Sequence, residues 1–284
     1  MNSCQVCPSE ATLGAVVTGV KLSALSDPDW RTIEAAFHEH AVLIFPDQYL
    51  TRDEQAAFGR RFGDFDSLVA QTAGTVPISN LRADGRLRDP DDPVLAILRG
   101  NEGWHTDSSY MPLAAKASIL SAEIVTTRGG ETEWSDMRAA WDALPPETQR
   151  RIDGLTARHS LVYSQAKIGK TPSAGFKYGY EGHDPPLRPL VKRHPVTGRR
   201  SLFIGRHAYG ILGLSEQESE RLLDELLAFA CQAPRVWSHR WRAGDVAIWD
   251  NRCVLHRARP WDPAEPRVMH HTRIAGDPAT ESGL

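Results

Sequence analysis

The 284-residue chain lacks long apolar runs and lacks a large excess of either charge. No stretch approaches the roughly 20 apolar residues that a membrane-spanning helix needs, and the N-terminus has neither the basic nor the apolar region of a signal peptide. The net charge of -3 and the pI near 6.4 give no basic face for nucleic acid or for an anionic membrane. We therefore expect a cytoplasmic protein whose partner is a small molecule, with a homo-oligomer left open.

Cysteine is also scarce, because the chain has only four, namely Cys4, Cys7, Cys231 and Cys253. These are too few and too scattered for a disulfide framework in a protein of this length. Cys4 and Cys7 form a CxxC pair, but no second pair follows at the spacing of a zinc ribbon. We predict that residues 1–10 are a mobile terminus rather than a metal site.

No Ser/Gly-rich linker, charge block or internal repeat divides the chain, so we predict a single domain over residues 1–284. Short β-rich runs alternate irregularly with a few amphipathic helices, which favours a mixed, antiparallel sheet with helical insertions. Capping boxes at Thr51/Glu54 and Ser215/Glu218 predict the starts of two helices. Between residues 164 and 195 the periodicity fails, which predicts a lid insertion over an active site.

The stretch "GWHTDSSY", residues 103–110, contains a histidine and a carboxylate two residues apart. In an extended segment His105 and Asp107 project to the same side, while Thr106 faces the other. This pair offers a neutral imidazole and a carboxylate at one point, which is the start of a metal site. An isolated H-x-D triplet also occurs by chance, so the pair needs a third ligand to be informative.

The best candidate for the third ligand is His256, in "WDNRCVLHRA" near the C-terminus. Two histidines and one carboxylate form the facial triad, which fills one face of an octahedral ion and leaves three positions open for a chelating cosubstrate and dioxygen. Arg267 follows 11 residues later and could bind a carboxylate through two hydrogen bonds from its guanidinium. Thr132, behind the pair Gly129 and Gly130, could donate its hydroxyl to the same carboxylate.

Four motifs in this order, "WHTDSSY", "GGETEW", "WDNRCVLHRA" and Arg267, resemble the iron(II)- and 2-oxoglutarate-dependent taurine/dichlorophenoxyacetate dioxygenase family. The resemblance extends from about Thr12 to Asp277. "MRAAWDALPPETQ", "ARHSLVYSQAKIG" and "LFIGRHAYGI" are similar to the aryloxyalkanoate branch, and in particular to the phenoxypropionate dioxygenases. The family implies a mainly β fold, a double-stranded β-helix (jelly roll) with flanking helices.

The resemblance assigns roles to five of these residues. His105, Asp107 and His256 match the ligands of Fe(II) in the family. Arg267 matches the arginine that pairs with the distal carboxylate of 2-oxoglutarate, and Thr132 matches the threonine that assists it. The family thus implies Fe(II) as cofactor, with 2-oxoglutarate and O2 as cosubstrates.

Many relatives carry a second arginine four residues after the first, and this arginine binds the sulfonate or carboxylate of the substrate. This sequence has His271 at that position, four residues after Arg267. Strand alternation turns His271 and Arg273 to the same side as Arg267 and His270 to the other. We therefore predict that Arg273 supplies the missing positive charge in the substrate pocket, beside His271. Arg206, in "FIGRHAYG", either lines the same pocket or closes a hairpin.

The reaction implied by the resemblance is hydroxylation of a small anionic substrate. In an aryloxyalkanoate the target is the carbon beside the ether oxygen. The product falls apart into a phenol and a 2-oxo acid, with succinate and CO2 formed from 2-oxoglutarate, a reaction that serves herbicide degradation. Within the family, taurine, another alkylsulfonate or another carboxylate are alternative substrates. From other classes, a zinc-dependent hydrolase could use the same three ligands, and a non-catalytic jelly-roll binding protein is the other alternative.

Overall fold

The computed structural model describes residues 4–169 and 184–284. Within these ranges the helices are α1 (Asp27–His40), α2 (Arg52–Arg60), α3 (Ser67–Ala70), α4 (Pro93–Gly100), α5 (Met137–Ala143), α6 (Pro146–Ile152), α7 (Leu161–Ala166), α8 (Glu216–Ala230) and α9 (Pro278–Glu281), with a short 3-10 helix at Leu22–Ala24. None of the helices in the described ranges has the length and apolar composition needed to cross a bilayer.

The strands of the described ranges are β1 (Gln5–Pro8), β2 (Ala15–Thr18), β3 (Val42–Phe45), β4 (Val76–Ser79), β5 (Ala115–Ile124), β6 (Thr132–Asp136), β7 (Thr156–His159), β8 (Leu187–Pro189), β9 (Val191–Arg193), β10 (Arg200–Leu202), β11 (Ala208–Tyr209), β12 (Val236–His239), β13 (Val246–Asp250), β14 (Val254–Ala258) and β15 (Val268–Ala275). Seven of them form one large sheet in the order β1-β2-β3-β13-β5-β15-β4, and a smaller sheet has the order β12-β6-β14. Two minor sheets, β11-β7-β8 and β10-β9, complete the set.

The large sheet and the β12-β6-β14 sheet share an apolar core, as in a jelly roll. Trp134 of β6 lies 5.9 Å from Trp249 of β13, measured between ring centroids. Both side chains are buried, and Met269 of β15 belongs to the same core. The predicted fold class, mainly β with flanking helices, is therefore confirmed.

The helices flank this core with the faces that their periodicity predicts. In α1 the buried residues are Ile33, Ala36 and Phe37, which pack with residues of β2, β3 and β13 in a second apolar cluster. Both predicted capping boxes are present, at the N-termini of α2 and α8. A third apolar cluster joins α5 and α8 to β10 and β14.

Two boundaries differ from the sequence prediction. Gln5–Pro8, placed in the mobile terminus of residues 1–10, form strand β1, because each residue of this segment pairs with β2 in an antiparallel register. Within the predicted lid insertion of residues 164–195, β8 and β9 are regular strands and the segment opens inside α7. Residues 170–183, the centre of that prediction, lie outside the described residues.

Candidate metal centre

A single pair of backbone hydrogen bonds brings the "WHTD" segment against β14. The N–H of His105 donates to the carbonyl of His256 at 3.0 Å, and the N–H of His256 donates to the carbonyl of His105 at 2.7 Å. The two residues are thus directly opposed in an antiparallel bridge, which places their side chains on the same side. Their ring centroids lie 4.1 Å apart, although the residues are 151 positions apart in the chain.

Alternation along the same segment places the carboxylate of Asp107 beside these rings. Thr106 faces the opposite side, where its hydroxyl donates to the carbonyl of Asn251 at 2.8 Å. One ligand atom from each of His105, Asp107 and His256 lies within 4.8 Å of the others. The structure therefore brings together the three residues that the sequence singled out, in an arrangement that can hold one metal ion.

The histidines of this group are neutral, as ligands must be. Burial is the largest cause and lowers the pKa of His105 to about 3 and that of His256 to about 4. The Nδ1 of His105 lies 2.8 Å from the carbonyl of Gly103, so this nitrogen carries the proton and Nε2 is the one that can bind a metal. Neutral imidazoles and a carboxylate are the donor set that suits a non-haem Fe(II) centre.

The carboxylate of Asp107 stays ionised although it is buried. Burial alone would raise its pKa, but the guanidinium of Arg273 and the neighbouring histidines hold the pKa well below its usual value. Arg273 donates to Oδ1 at 2.7 Å, and the hydroxyl of Ser118 donates to Oδ2 at 2.6 Å. The three candidate ligands therefore present two lone pairs and one negative charge to the same point.

A cavity of about 80 Å³ opens beside the three candidate ligands. Its polar lining includes Asn101, Thr132, Arg267, His271 and Arg273, and its apolar lining includes Ile78, Leu120 and Trp249. Nearly all the predicted site residues thus face one small space between the two sheets. Such a mixture of an apolar wall with a few converging polar groups is typical of a small-molecule site.

Arg267 enters this cavity as a buried cation without an acidic partner among the described residues. Its exposed fraction is 4%, and burial lowers the pKa of the guanidinium to about 10. One arm donates to the carbonyl of Gly130 at 3.2 Å, and the guanidinium lies 4.8 Å from the centre of the Trp261 ring. A buried charge without a counter-ion is costly, so the position suits an anionic ligand.

Thr132 lines the same cavity close to Arg267. The indole N–H of Trp241 donates to its Oγ1 at 3.0 Å, which leaves the hydroxyl proton of Thr132 available for another acceptor. Gly130, two residues before it, has φ +72°, and a Cβ at this position would lie 3.2 Å from Nε of Arg267. The glycine therefore allows the close approach between this turn and the arginine.

His271 and Arg273 face the cavity from β15, while His270 points to the other side and contacts Glu123. The predicted alternation of this strand is thus confirmed. His271 lies parallel to Trp249, with an interplanar angle of 9°, and its buried Nε2 has no hydrogen-bond partner among the described residues. Burial lowers the pKa of His271 to about 4, so this position offers a neutral ring.

Arg206 does not line this cavity but an adjoining cleft of about 230 Å³, with Tyr163 and Lys167. Its guanidinium donates to the carbonyl of Ser164 at 3.0 Å and to the carbonyl of Gly100. Arg206 therefore does not reach the cavity of the candidate ligands, where the sequence offered it as a substrate contact. The physical reason is that two backbone carbonyls hold its donors along the wall between the two spaces.

Sequence reasoning missed three residues that support the centre. Ser118 bonds Asp107, Asn251 accepts from the Asp107 N–H at 3.3 Å, and Trp241 bonds Thr132. A signal was present for Ser118, because a polar residue at an inward position of an apolar strand is unusual. No comparable signal marked Trp241, whose partner lies 109 residues away.

Comparison with known sequences agrees with this geometry. The family described as "Taurine catabolism dioxygenase TauD, TfdA family" matches residues 5–274. The chain is 54% identical to a protein of Sphingobium herbicidovorans named (S)-phenoxypropionate/alpha-ketoglutarate-dioxygenase, over 98% of this chain and 97% of that protein. It is 50% identical to a protein of the same name from Delftia acidovorans, over 98% and 97%. A 2,4-dichlorophenoxyacetate dioxygenase of Cupriavidus pinatubonensis is 39% identical over 89% of this chain and 91% of its own length.

Solved structures with the same fold lead to the same group. The crystal structure of AAD-2 in complex with Mn(II) and N-oxalylglycine superposes with a TM-score of 0.90, at 36% identity over 99% of each chain. A taurine dioxygenase from Burkholderia xenovorans superposes with a TM-score of 0.78, at 29% identity over 97% of this chain and 92% of the other. The fold similarity therefore covers nearly the whole chain.

Proposed function

We propose, from the premise that this chain belongs to the TauD/TfdA dioxygenase family, that its substrate is an aryloxyalkanoate of the phenoxypropionate type. As a member of the family the protein is a non-haem dioxygenase that uses Fe(II), 2-oxoglutarate and O2. The proposal for the substrate is carried by one observation, the 54% identity over 98% of the chain to a relative named for (S)-phenoxypropionate. The reaction hydroxylates the carbon beside the ether oxygen and releases a phenol, a 2-oxo acid, succinate and CO2.

His105, Asp107 and His256 are proposed to hold the iron. The proposal is supported by the 4.8 Å limit on the distances among their ligand atoms and by the neutral state of both imidazoles. Iron(II) bound there, with 2-oxoglutarate and dioxygen, supplies the oxidant that removes a hydrogen atom from the substrate. The chain itself must then position the reactants and exclude water.

Arg267 and Thr132 are proposed to anchor the distal carboxylate of 2-oxoglutarate. A dianionic cosubstrate would give the buried guanidinium of Arg267 the counter-ion that the described residues do not provide. Thr132 would add its free hydroxyl proton, since Trp241 already uses its oxygen as an acceptor. Both residues line the cavity of the candidate ligands, so anchoring at this end orients the other end of the cosubstrate towards them.

His271 is proposed to contact the substrate with its Nε2, which is buried, borders the cavity and has no hydrogen-bond partner in the described part of the chain. Arg273, the other substrate residue predicted on β15, lies in the same cavity with one arm on Asp107. Arg206 could reach a substrate only from the adjoining cleft. Ile78, Leu120 and Trp249 give the cavity the apolar wall that an aryl ring needs.

The alternatives are less well supported. A zinc hydrolase has no use for a buried arginine without a partner, and a binding protein without catalysis need not keep all three candidate ligands. A sulfonate such as taurine has no aryl ring to place on the apolar wall.

Four free cysteines are consistent with our further proposal that this single-domain enzyme works in the cytoplasm. A homo-oligomer stays a prediction.

The first experiment is anaerobic. Fe(II) and 2-oxoglutarate are added to the metal-free protein, the weak visible charge-transfer band of the chelate is recorded, and oxygen is then admitted with phenoxypropionates, phenoxyacetates or taurine. We expect the band, its loss in His105→Ala, and succinate and phenol in equal amounts with a phenoxypropionate. A band without stimulation by any aryloxyalkanoate would refute the substrate, whereas folded protein without a band would refute the iron site.

A further inference from the structure

The two oxygens of the Asp107 carboxylate have different surroundings. Oδ1 accepts a hydrogen bond from Nη2 of Arg273 at 2.7 Å. Oδ2 accepts from Ser118 at 2.6 Å and lies 3.7 Å from Nε2 of His256 and 3.6 Å from Nε2 of His271. Oδ2 is therefore the oxygen that faces the candidate ligand nitrogen, while Oδ1 faces the arginine.

Arg273 also holds the residue that follows Asp107. Its Nη1 donates to the hydroxyl of Ser108 at 3.1 Å, and this hydroxyl donates to Asp66 at 2.9 Å. Ser108 has φ +54°, a left-handed conformation that an L-residue adopts only when its surroundings hold it there. One guanidinium thus spans a carboxylate and the strained residue beside it, which a lysine ammonium cannot do with the same geometry.

The position of Asp107 is fixed from the opposite side as well. Its N–H donates to the side-chain oxygen of Asn251 at 3.3 Å, and the amide of Asn251 donates to Ser118 at 2.9 Å. Ser118 in turn holds Oδ2. Hydrogen bonds therefore hold both carboxylate oxygens. Rotation about the Cβ–Cγ bond of Asp107 would break either the bond from Arg273 or the bond from Ser118.

From this arrangement we infer that Arg273 is a positioning residue, which occupies Oδ1 so that Asp107 binds the metal through Oδ2 alone. This differs from the role in substrate recognition that the sequence predicts for Arg273. It rests on the proposed iron site. A carboxylate that binds through one oxygen fills one coordination position instead of two and leaves the third open position available.

The test compares matched variants in the metal-free protein. Mn(II) affinity is measured by calorimetry in wild type, Arg273→Gln and Arg273→Lys, with Arg252→Lys as control because Arg252 makes a similar buried pair with Asp250. We expect the Kd for Mn(II) to rise roughly 10- to 100-fold in Arg273→Gln, and less in Arg273→Lys, which keeps the charge. The Kd should stay within about twofold of wild type in Arg252→Lys. If Arg273→Lys acted only through the structural cost of replacing a buried arginine, Arg252→Lys would raise the Kd by a similar factor.

A second readout follows the Fe(II)–2-oxoglutarate charge-transfer band, which we expect to shift in Arg273→Gln and to stay unchanged in Arg252→Lys. Wild-type affinity for Mn(II) in Arg273→Gln, together with a weakened Kd for the substrate, would overturn the inference in favour of substrate recognition. If Arg273→Gln does not fold, equal Mn(II) affinities of Arg273→Lys and wild type would also overturn it. Failure of the wild type to bind Mn(II) would instead overturn the proposed iron site itself.

Discussion

Among the residues that the structure describes, two buried clusters contain metal-ligand side chains, but their hydrogen bonding differs. In the first, His105, Asp107 and His256 border a cavity of about 80 Å³. In the second, His194, Asp250 and Cys253 also place one ligand atom each within 4.8 Å of the others. Residue type and distance alone therefore do not separate a candidate catalytic centre from a structural network.

The hydrogen bonds of the second cluster make the difference. Nδ1 of His194 accepts from two backbone N–H groups at 3.2 and 3.1 Å, and its Nε2 lies 2.9 Å from Oδ2 of Asp250. Arg252 donates to both oxygens of Asp250, at 2.8 and 2.6 Å. Burial and Asp250 raise the pKa of the Cys253 thiol, which disfavours the thiolate that a metal needs. Both nitrogens of His194 and both carboxylate oxygens of Asp250 are thus already in use.

The largest contrast is expected when one histidine of each cluster is removed. His105→Ala should abolish Fe(II) binding and with it succinate formation, because a facial triad has no spare ligand. His194→Ala should keep metal stoichiometry and turnover at moderate temperature but lower the free energy of unfolding by about 1–3 kcal/mol, since it leaves buried partners unsatisfied. Metal analysis and urea unfolding of both variants test the contrast, and loss of iron in His194→Ala would contradict it.

Arg252 and Arg267, two buried arginines near the two clusters, should also respond in opposite ways. Arg252→Met leaves the buried charge of Asp250 without its arginine partner and should lower the free energy of unfolding by roughly 3–5 kcal/mol. Arg267→Met orphans no acidic partner among the described residues, so the stability of the metal-free protein should be unchanged or higher. It should instead raise the KM for 2-oxoglutarate by roughly 10- to 100-fold, the value of a charge-assisted contact. Equal destabilisation by the two changes would show that Arg267 has a structural role.

Metal binding should stabilise the protein through the first cluster alone. Mn(II) at about 100 times its Kd should raise the free energy of unfolding by about 2.7 kcal/mol, because the ion binds the folded state only. The same increase should be measured in His194→Ala and should vanish in His256→Ala. An increase that survives in His256→Ala would indicate that the second cluster binds the ion.

The smallest expected effect is a dependence on pH. The pKa of His271 in the folded protein is about 4, below the value near 6.5 of an unfolded chain. Between pH 6.5 and pH 4, His271 is protonated in the unfolded state but neutral in the folded state. The free energy of unfolding therefore decreases as the pH falls from 6.5 towards 4. His271→Phe should remove about 1 kcal/mol of the stability difference between pH 7.5 and pH 5.5 in the metal-free protein. Parallel pH profiles of variant and wild type would show that the ring does not contribute.

Local signals were sufficient for some of the helices and strands and for part of the site. The capping boxes at the starts of α2 and α8, and the alternation that turned His271 inward and His270 outward, depend on residues a few positions apart. Other local signals misled. Residues Gln5–Pro8 looked like a mobile terminus, because β1 is stabilised by its partner β2 rather than by its own composition.

The sequence by itself determined the residue types of the site, their spacing and, through its motifs, the family and its chemistry. Only the tertiary structure decided which partners these side chains have. It placed Arg273 on Asp107, left Arg267 without a counter-ion among the described residues, and turned Arg206 to the backbone of a neighbouring cleft. The physical reason is that pairing of buried charges is a long-range property. Arg273 and Asp107 are 166 residues apart, and only the packing of β15 against the "WHTD" segment brings them together.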